Sequence, residues 1–225
     1  MRVLVIDTAL GLCSAGLFAV EAGGARPLGL RSEVMTKGHQ ERLGGLVRDA
    51  VAEAGGFGVV DRIGVTAGPG SFTGLRVGLA FAQGLGAALD RPVIGISTLD
   101  ALAASAGPLP AAAALIDARR GQVYARFWRG GEAQGAAEAL SIEAARDRAR
   151  ALEPGAGLIG SGAALIANDV AGAAVFALEG PAPEAIARLT AAADPAASPP
   201  RPLYLRAPDA TPPTRLPGQP RPPAA

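Results

Sequence analysis

Two aspartates that each follow a short apolar run are the residues best placed to do chemistry. Asp7 ends the run Val3–Ile6, and Asp117 ends a similar run at 114–116, with a glycine four residues after each aspartate. Carboxylates at strand ends can organise a Mg²⁺ ion beside the phosphates of a nucleotide. Asp7, its neighbour Thr8 and Asp117 are therefore the candidate cofactor-binding residues, at a degenerate nucleotide site.

The turn after Asp117 argues against an intact nucleotide site. It reads Asp117-Ala-Arg-Arg-Gly121, whereas a phosphate-binding turn needs small residues so that backbone N–H groups come close to phosphate oxygens. Two arginines would crowd such a turn, although they could still meet phosphate as charges. Gly160-Ser-Gly162 is a further short glycine motif that could touch an adenosine. A catalytically active ATPase or small-molecule kinase that uses this site stays open as the alternative function.

The sequence lacks the side chains that other common catalytic arrangements need. The glycine-rich stretch Gly68–Gly74 lacks the lysine of a P-loop, and Ser71 within it has no adjacent histidine or lysine to activate it. His39 and Cys13 are the only residues of their types. They leave too few side chains for a serine or cysteine triad, a multi-cysteine metal site or an internal disulfide. The sequence therefore predicts no catalytic residue and no metal ligand.

The elements that position these residues repeat along the chain. Strand-like runs followed by alternating helix and strand patterns fill the first half, and a similar order, with a helix near 163–170, begins again after Gly107–Pro110. This order predicts a two-lobed α/β fold from a duplicated βββαβα unit, as in the actin-like ATPases and sugar kinases with their ribonuclease H-like fold. The predicted domains are 1–107, 108–206 and a proline-rich tail at 207–225, which we expect to be disordered.

The helix that follows the glycine-rich stretch has an unusual surface. Between about residues 71 and 90, beyond its cap, only Arg76 and Gln83 are strongly polar, so the helix must be covered on several sides. Small residues recur at every fourth position and line one ridge. They are Gly74, Gly78, Ala82 and Gly86. The helix alone favours packing of this ridge on the protein's own sheet, and contact with another subunit is the alternative.

Composition excludes several classes of function. Of the 225 residues, 49% are hydrophobic, which is enough for a substantial core. The net charge of +1 gives no general reason to expect nucleic-acid or membrane binding. The pattern shows neither a cleavable signal at the N-terminus nor an apolar run of membrane length. We expect a soluble, cytoplasmic protein with no membrane partner.

Several short motifs together resemble one protein family. They are Ile6-Asp-Thr8, Cys13-Ser14, His39 with Glu41, Gly68-Pro-Gly-Ser-Phe-Thr-Gly-Leu-Arg-Val-Gly78, Ala82-Gln-Gly84, Gly95-Ile-Ser-Thr-Leu99, Ile116-Asp-Ala-Arg119, Gln122-Val-Tyr124 and Pro202-Leu-Tyr-Leu-Arg206. In this order they resemble the TsaB family, also called YeaZ, over nearly the whole chain up to about Arg206. The string from 68 to 78 is the most specific of them.

The resemblance implies a two-lobed actin-like protein of bacteria that is a paralogue of the threonylcarbamoyl transferase TsaD. TsaD holds its metal through a His-x3-His pair, which this chain cannot complete because Leu43 stands four residues after His39. The implied role is a non-catalytic subunit with no cofactor of its own. It would pair with TsaD and work with the ATPase TsaE in making threonylcarbamoyladenosine at the tRNA adenosine 3′ of the anticodon.

The resemblance also implies that the helices of the first lobe form the pairing surface. It therefore favours contact of the small-residue ridge with a partner subunit over packing on the protein's own sheet. The expected interface residues are Gly74, Val77, Gly78, Phe81, Ala82 and Gly86. Contact with tRNA would then be indirect, through the complex. A homodimer, ATP or ADP at the partner interface, and a metalloprotease-like activity stay open as alternatives, although the single histidine opposes the last.

Overall fold

The computed structural model describes residues 1–22, 24–35, 37–152 and 154–206, so the predicted tail at 207–225 lies outside the described residues. The first-half strands are β1 Arg2–Asp7, β2 Leu12–Glu21, β3 Gly24–Val34, β4 Arg62–Gly68 and β5 Val93–Ser97. Those of the second half are β6 Ala111–Arg119, β7 Gln122–Arg129, β8 Glu132–Ala133, β9 Glu138–Ser141, β10 Gly157–Ile159 and β11 Ala174–Phe176. The α-helices are α1 His39–Glu53, α2 Phe72–Leu89, α3 Thr98–Ser105, α4 Ile142–Arg150 and α5 Pro183–Ala192.

The first sheet has the strand order β3-β2-β1-β4-β5. Strand β1 pairs antiparallel with β2 and parallel with β4, in a register that sets Val5 opposite Gly16 and Gly64. Because β1 is buried from Val3 to Asp7, its side chains are apolar on both faces rather than alternating. Helices cover both faces of this sheet, since α1 and α2 contact it with one set of residues and α5 with another.

The second sheet repeats this order as β11-β10-β6-β7-β8, with β9 also pairing with β7. The repeat confirms the predicted two-lobed α/β fold from a duplicated unit. The second copy is reduced, because two short strands, β8 and β9, take the place of one long third strand. The predicted helix near 163–170 is wrong: two 3₁₀ turns, Ala163–Leu165 and Ala167–Asp169, occur there. The backbone leaves the helical region at Ile166, with a φ of −128°, and is extended at Val170, so no continuous helix forms.

Each half of the chain contributes one helix to the other half. Helix α3 packs Leu99 and Leu102 against Ile159 in the second sheet. Helix α5 lies on the first sheet, where Ile186 packs against Val3. The packed lobes therefore differ from the predicted chain ranges, because one helix of each range is buried against the sheet of the other.

The last described residues, 198–206, run back over the first lobe, and we call them the strap. The backbone N–H of Gly95 donates to Ser198 O at 2.9 Å, and that of Leu203 donates to Ala67 O at 2.7 Å. At its end, the Arg206 guanidinium donates to Ala118 O at 2.9 Å, at the end of β6. The strap therefore links the ends of strands from both sheets.

Helix α2 is long and apolar enough to cross a membrane, with 18 residues and a mean hydropathy of 1.2. The expectation that the chain has no apolar run of membrane length is therefore corrected for this helix. Length and composition are weak evidence here, because helices packed in the core of a globular domain meet the same criterion. In this structure 33% of the helix is buried.

Candidate functional site

A cleft lies where the turns between the paired strands of the two lobes face each other. Its volume is about 700 Å³. It is lined by the β1–β2 turn, the start of α2, the β6–β7 turn and the end of the strap. The polar and charged lining residues are Ser71, Asp117, Arg119, Tyr124, Ser161, Glu179, Tyr204 and Arg206. Both turns that were predicted to form a degenerate nucleotide site line this cleft.

Asp7 lies beneath the cleft and does not line it. Its Oδ1 accepts hydrogen bonds from the Ala9 backbone N–H at 3.0 Å and from the Thr66 hydroxyl at 2.7 Å. Oδ2 is buried and finds no partner among the described residues. Burial raises the pKa of Asp7 to about 6, although both hydrogen bonds act to lower it. Asp7 therefore orders the start of the β1–β2 turn.

Thr8 is buried under α2, where the glycine-rich motif lets the β1–β2 turn come very close. Its hydroxyl donates to Gly74 O at 2.7 Å. A Cβ on Gly74 would collide with the Thr8 carbonyl oxygen, and one on Gly78 would collide with the Thr8 hydroxyl. Ser71 begins the helix, because its hydroxyl accepts the Gly74 N–H at 3.2 Å. The motif therefore holds the turn against the helix.

Asp117 is the one predicted cofactor-binding residue that lines the cleft, which corrects the predicted grouping of Asp7, Thr8 and Asp117 in one site. Its Oδ1 accepts the Arg119 backbone N–H at 2.8 Å. Arg119 and Arg120 have φ angles of +62° and +54°, a region that few residues other than glycine adopt. The Arg119 side chain is 85% exposed and lies 3.5 Å from the Asp117 carboxylate. The β6–β7 turn thus places the Arg119 guanidinium at the mouth of the cleft. It does not form a glycine-rich loop whose backbone N–H groups could bind phosphate.

Glu179 makes the first turn unfavourable for a phosphate group. Its carbonyl oxygen accepts the Gly11 N–H at 3.2 Å, and its Oε2 would lie 3.2 Å from a Cβ on Gly11. The Ala9 N–H is already bound by Asp7. Two backbone donors of this turn are therefore used within the protein, and a carboxylate stands beside them, where it would repel phosphate oxygens. Sequence reasoning missed Glu179 because no local pattern links it to the β1–β2 turn.

His39 and Cys13 are buried away from the residues that line the cleft. Burial lowers the pKa of His39, which favours the neutral imidazole. Burial also raises the pKa of the free Cys13 thiol to about 11, so it stays protonated. Among the described residues, no three His, Cys, Asp or Glu side chains come close enough to share a metal ion.

The small-residue ridge of α2 faces inward. Gly74, Gly78, Ala82 and Gly86 are all buried, and a Cβ on Gly86 would collide with the Val93 side chain of β5. These four residues were predicted as interface residues, and the structure corrects that prediction, because all four are buried and Gly74 and Gly78 face the chain's own β1–β2 turn. The four-residue spacing marks a close backbone contact, and that contact is made within the chain.

The opposite side of α2 is open. We call it the outer face, made of Thr73, Val77, Ala80, Phe81, Gly84 and Ala87, of which Val77 and Phe81 are half-buried and the others exposed. A Cβ on Gly84 would meet nothing within 4 Å, and Gly44 of α1 approaches Phe81 at one border. Val77 and Phe81 are thus the two predicted interface residues that lie next to an open surface.

Comparisons with known proteins agree with this architecture. The family model described as "TsaD: tRNA N6-adenosine threonylcarbamoyltransferase" matches residues 21–153. An uncharacterized protein of Mycobacterium tuberculosis is 38% identical over 93% of this chain and 94% of its own length. The tRNA threonylcarbamoyladenosine biosynthesis protein TsaB of Escherichia coli is 37% identical over 55% of this chain and 53% of its own length.

A solved structure is also similar over most of the chain. The structure of YeaZ from Pseudomonas aeruginosa matches 91% of this chain and 99% of its own, with 30% identity and a TM-score of 0.71. The duplicated sheets, the motif that seats the β1–β2 turn on α2 and these similarities lead to one conclusion. The chain belongs to the TsaB/YeaZ family.

Proposed function

We propose that this protein is a non-catalytic subunit that pairs with the threonylcarbamoyl transferase TsaD. With the ATPase TsaE, the pair would form threonylcarbamoyladenosine at the tRNA adenosine 3′ of the anticodon. Membership of the TsaB/YeaZ family supports this pathway, since the Escherichia coli relative carries it in its name. We expect the complex to act in the cytoplasm, with tRNA bound through the assembly.

The outer face of α2 is the observation that carries the pairing. The helix has no acidic residue and, beyond its cap, only two strongly polar side chains, Arg76 and Gln83, yet only a third of it is buried. An apolar surface of this kind on a folded lobe commonly marks an interaction site. Because the glycine ridge already binds the helix to its own sheet, the outer face is left for a partner. Gly44 in α1 has no side chain beside Phe81. No side chain therefore projects from this position at the border of the outer face, and a second pair of helices can approach it.

The geometry of the cleft supports a role without phosphate chemistry. The Ala9 and Gly11 N–H groups are bound within the protein, and Glu179 stands beside them. Asp7 is buried below the cleft and is not among the residues that line it, so its carboxylate is poorly placed to hold Mg²⁺ beside a nucleotide there. These features oppose the alternative of an active ATPase or small-molecule kinase.

A reconstitution experiment tests the proposal. The full chain is mixed with TsaD from the same organism, with and without TsaE and ATP, and the complex and the modified tRNA are measured. We expect a stable pair and modification only in the presence of this chain. Ala80→Arg places a cation on the outer face and should abolish the pair. Ala164→Arg, at another exposed alanine in the second lobe, is the matched control and should not.

Two results would contradict the proposal. If the wild-type chain fails to bind TsaD under all these conditions, the pairing is wrong. If the isolated chain turns over ATP and Asp117→Ala abolishes that activity, the kinase-like alternative is favoured. Asp117 is chosen because it lines the cleft, whereas Asp7→Ala would also remove the buried hydrogen bonds that order the β1–β2 turn.

A further inference from the structure

Three large hydrophobic side chains that remain exposed gather where the rim of the cleft adjoins the outer face. Phe72 at the start of α2 is 45% exposed, and Leu203 and Tyr204 of the strap are 37% and 43% exposed. The Phe72 and Tyr204 rings lie 5.3 Å apart, centre to centre. Two segments that are far apart along the chain thus form one aromatic surface.

Arg76 contacts both aromatic side chains of this surface and fixes their positions. Its guanidinium lies 3.7 Å from the centre of the Phe72 ring, and its Nε donates to the Tyr204 hydroxyl at 3.2 Å. Cation–π contact and a hydrogen bond fix the three side chains together before any partner arrives. Such preorganisation lowers the entropy lost on binding. We call Phe72, Arg76, Leu203 and Tyr204 the anchor cluster.

The strap itself is firmly seated against α2. Gln83 donates its side-chain N–H to Pro200 O at 2.7 Å, and the Leu203 backbone N–H donates to Ala67 O at 2.7 Å. Arg76 and Gln83 lie along one side of the outer face, whereas Phe81 and Gly44 lie along the other. The outer face is therefore bordered by α1 on one side and by the strap on the other.

We propose that the anchor cluster is the energetic centre of the surface by which this chain binds the transferase subunit. This inference rests on the proposed function and adds the strap to the surface. Tyr, Phe and Arg are the side chains that dominate protein interfaces, above all where they are preorganised and adjoin an apolar face. The outer face supplies that apolar continuation from Thr73 to Ala87.

Charge favours a different chain over a second copy of this one. Arg76 is the single cation of α2, and the helix has no acidic residue. In a self-pair through this face, the α2 of the second copy therefore brings no counter-charge to Arg76. The family model of the transferase matches residues 21–153, which include the whole of α2. A transferase subunit would therefore bring a related helix to this face, and a carboxylate on that helix would complement Arg76.

The same surface is less suited to RNA bases. A base would stack on an aromatic ring, but Arg76 already covers one side of Phe72 at 3.7 Å. The neighbouring outer face consists of Thr73, Val77, Ala80, Phe81, Gly84 and Ala87, none of them basic. Phosphate groups beside a stacked base would therefore meet no positive charge on the outer face itself.

Titration calorimetry of the full chain with the purified transferase tests the inference. We expect Phe72→Ala and Tyr204→Ala each to weaken the Kd by about tenfold or more, which corresponds to about 1.4 kcal/mol per factor of ten. Arg76→Ala should weaken it as well, because both rings lose their fixed positions. Leu165→Ala and Val175→Ala remove side chains that are 42% and 47% exposed elsewhere, and these matched controls should bind normally. Melting curves should show every variant folded.

The alternatives give separate results. If the wild-type chain binds and the anchor variants bind equally well, while Ala80→Arg does not, the anchor cluster is refuted and the proposed function stands. If the wild-type chain does not bind the transferase, the proposed function itself fails. An anchor variant that loses only binding of a tRNA transcript, or only a homodimer in sedimentation, would overturn the inference in favour of RNA or of a second copy.

Discussion

The close approach of Thr8 to α2 predicts that one substitution has opposite effects at two glycines of the same helix. In Gly74→Ala the new methyl group meets the Thr8 carbonyl oxygen. That atom belongs to the backbone and cannot rotate away. In Gly84→Ala the methyl group points into open space, since nothing lies within 4 Å of it. The two variants therefore share the chemistry of the change and differ only in what the helix faces.

The magnitudes decide the sign of each effect. Replacing glycine by alanine in a helix stabilises it by up to about 1 kcal/mol. At Gly74, overpacking costs about 1–3 kcal/mol. Moving the turn away also breaks the buried bond from the Thr8 hydroxyl to Gly74 O, at about 1–3 kcal/mol. We therefore expect Gly74→Ala to lower the free energy of unfolding by about 1–5 kcal/mol, and Gly84→Ala to raise it by up to about 1 kcal/mol.

Thermal and urea melts of the two variants measure the difference. For a chain of this size, 1 kcal/mol shifts the Tm by about 2–4 °C, so the two variants should move to opposite sides of the wild type. The double variant Thr8→Ala with Gly74→Ala should show no rescue, because the clash involves the backbone. A Gly74→Ala chain that melts at or above the wild-type temperature would refute the close packing of the β1–β2 turn on α2.

Two further predictions concern pH and the strap. Burial raises the folded-state pKa of Asp7 from 3.8 to about 6, so stability is lost as pH rises through this window, by about 3 kcal/mol. Asp7→Asn should therefore raise the Tm more near about pH 8 than near about pH 4, and equal shifts in the two melts would speak against this cause. A chain that ends at Ala207 keeps the strap's hydrogen bonds and should melt like the full chain. A chain that ends at Asp194 loses the strap and should melt at a lower temperature. If the chain that ends at Ala207 also melts at a lower temperature than the full chain, contacts beyond the strap stabilise the fold.

The sequence by itself determined the order of the elements and the family. Apolar runs and four-residue spacing are local properties of the chain, and the buried run of β1 and the ridge of α2 were therefore readable in advance. The repeated Ile-Asp runs at Asp7 and Asp117 revealed the duplication, because equivalent strands of a repeated unit need equivalent residues. The local pattern failed near 163–170, where a weakly apolar segment is shaped by the turns around it.

Only the tertiary structure decided which surface each residue meets. Four-residue spacing shows that Gly74 and Gly86 share a ridge, but it carries no information on what lies against that ridge. The answer came from the β1–β2 turn and from β5, which the chain brings to the helix from other parts of the fold. Asp7 became a buried structural carboxylate for the same reason. The contact of Arg76 with Tyr204 joins positions 128 residues apart, and side chains so distant in sequence meet only because the folded chain returns along α2.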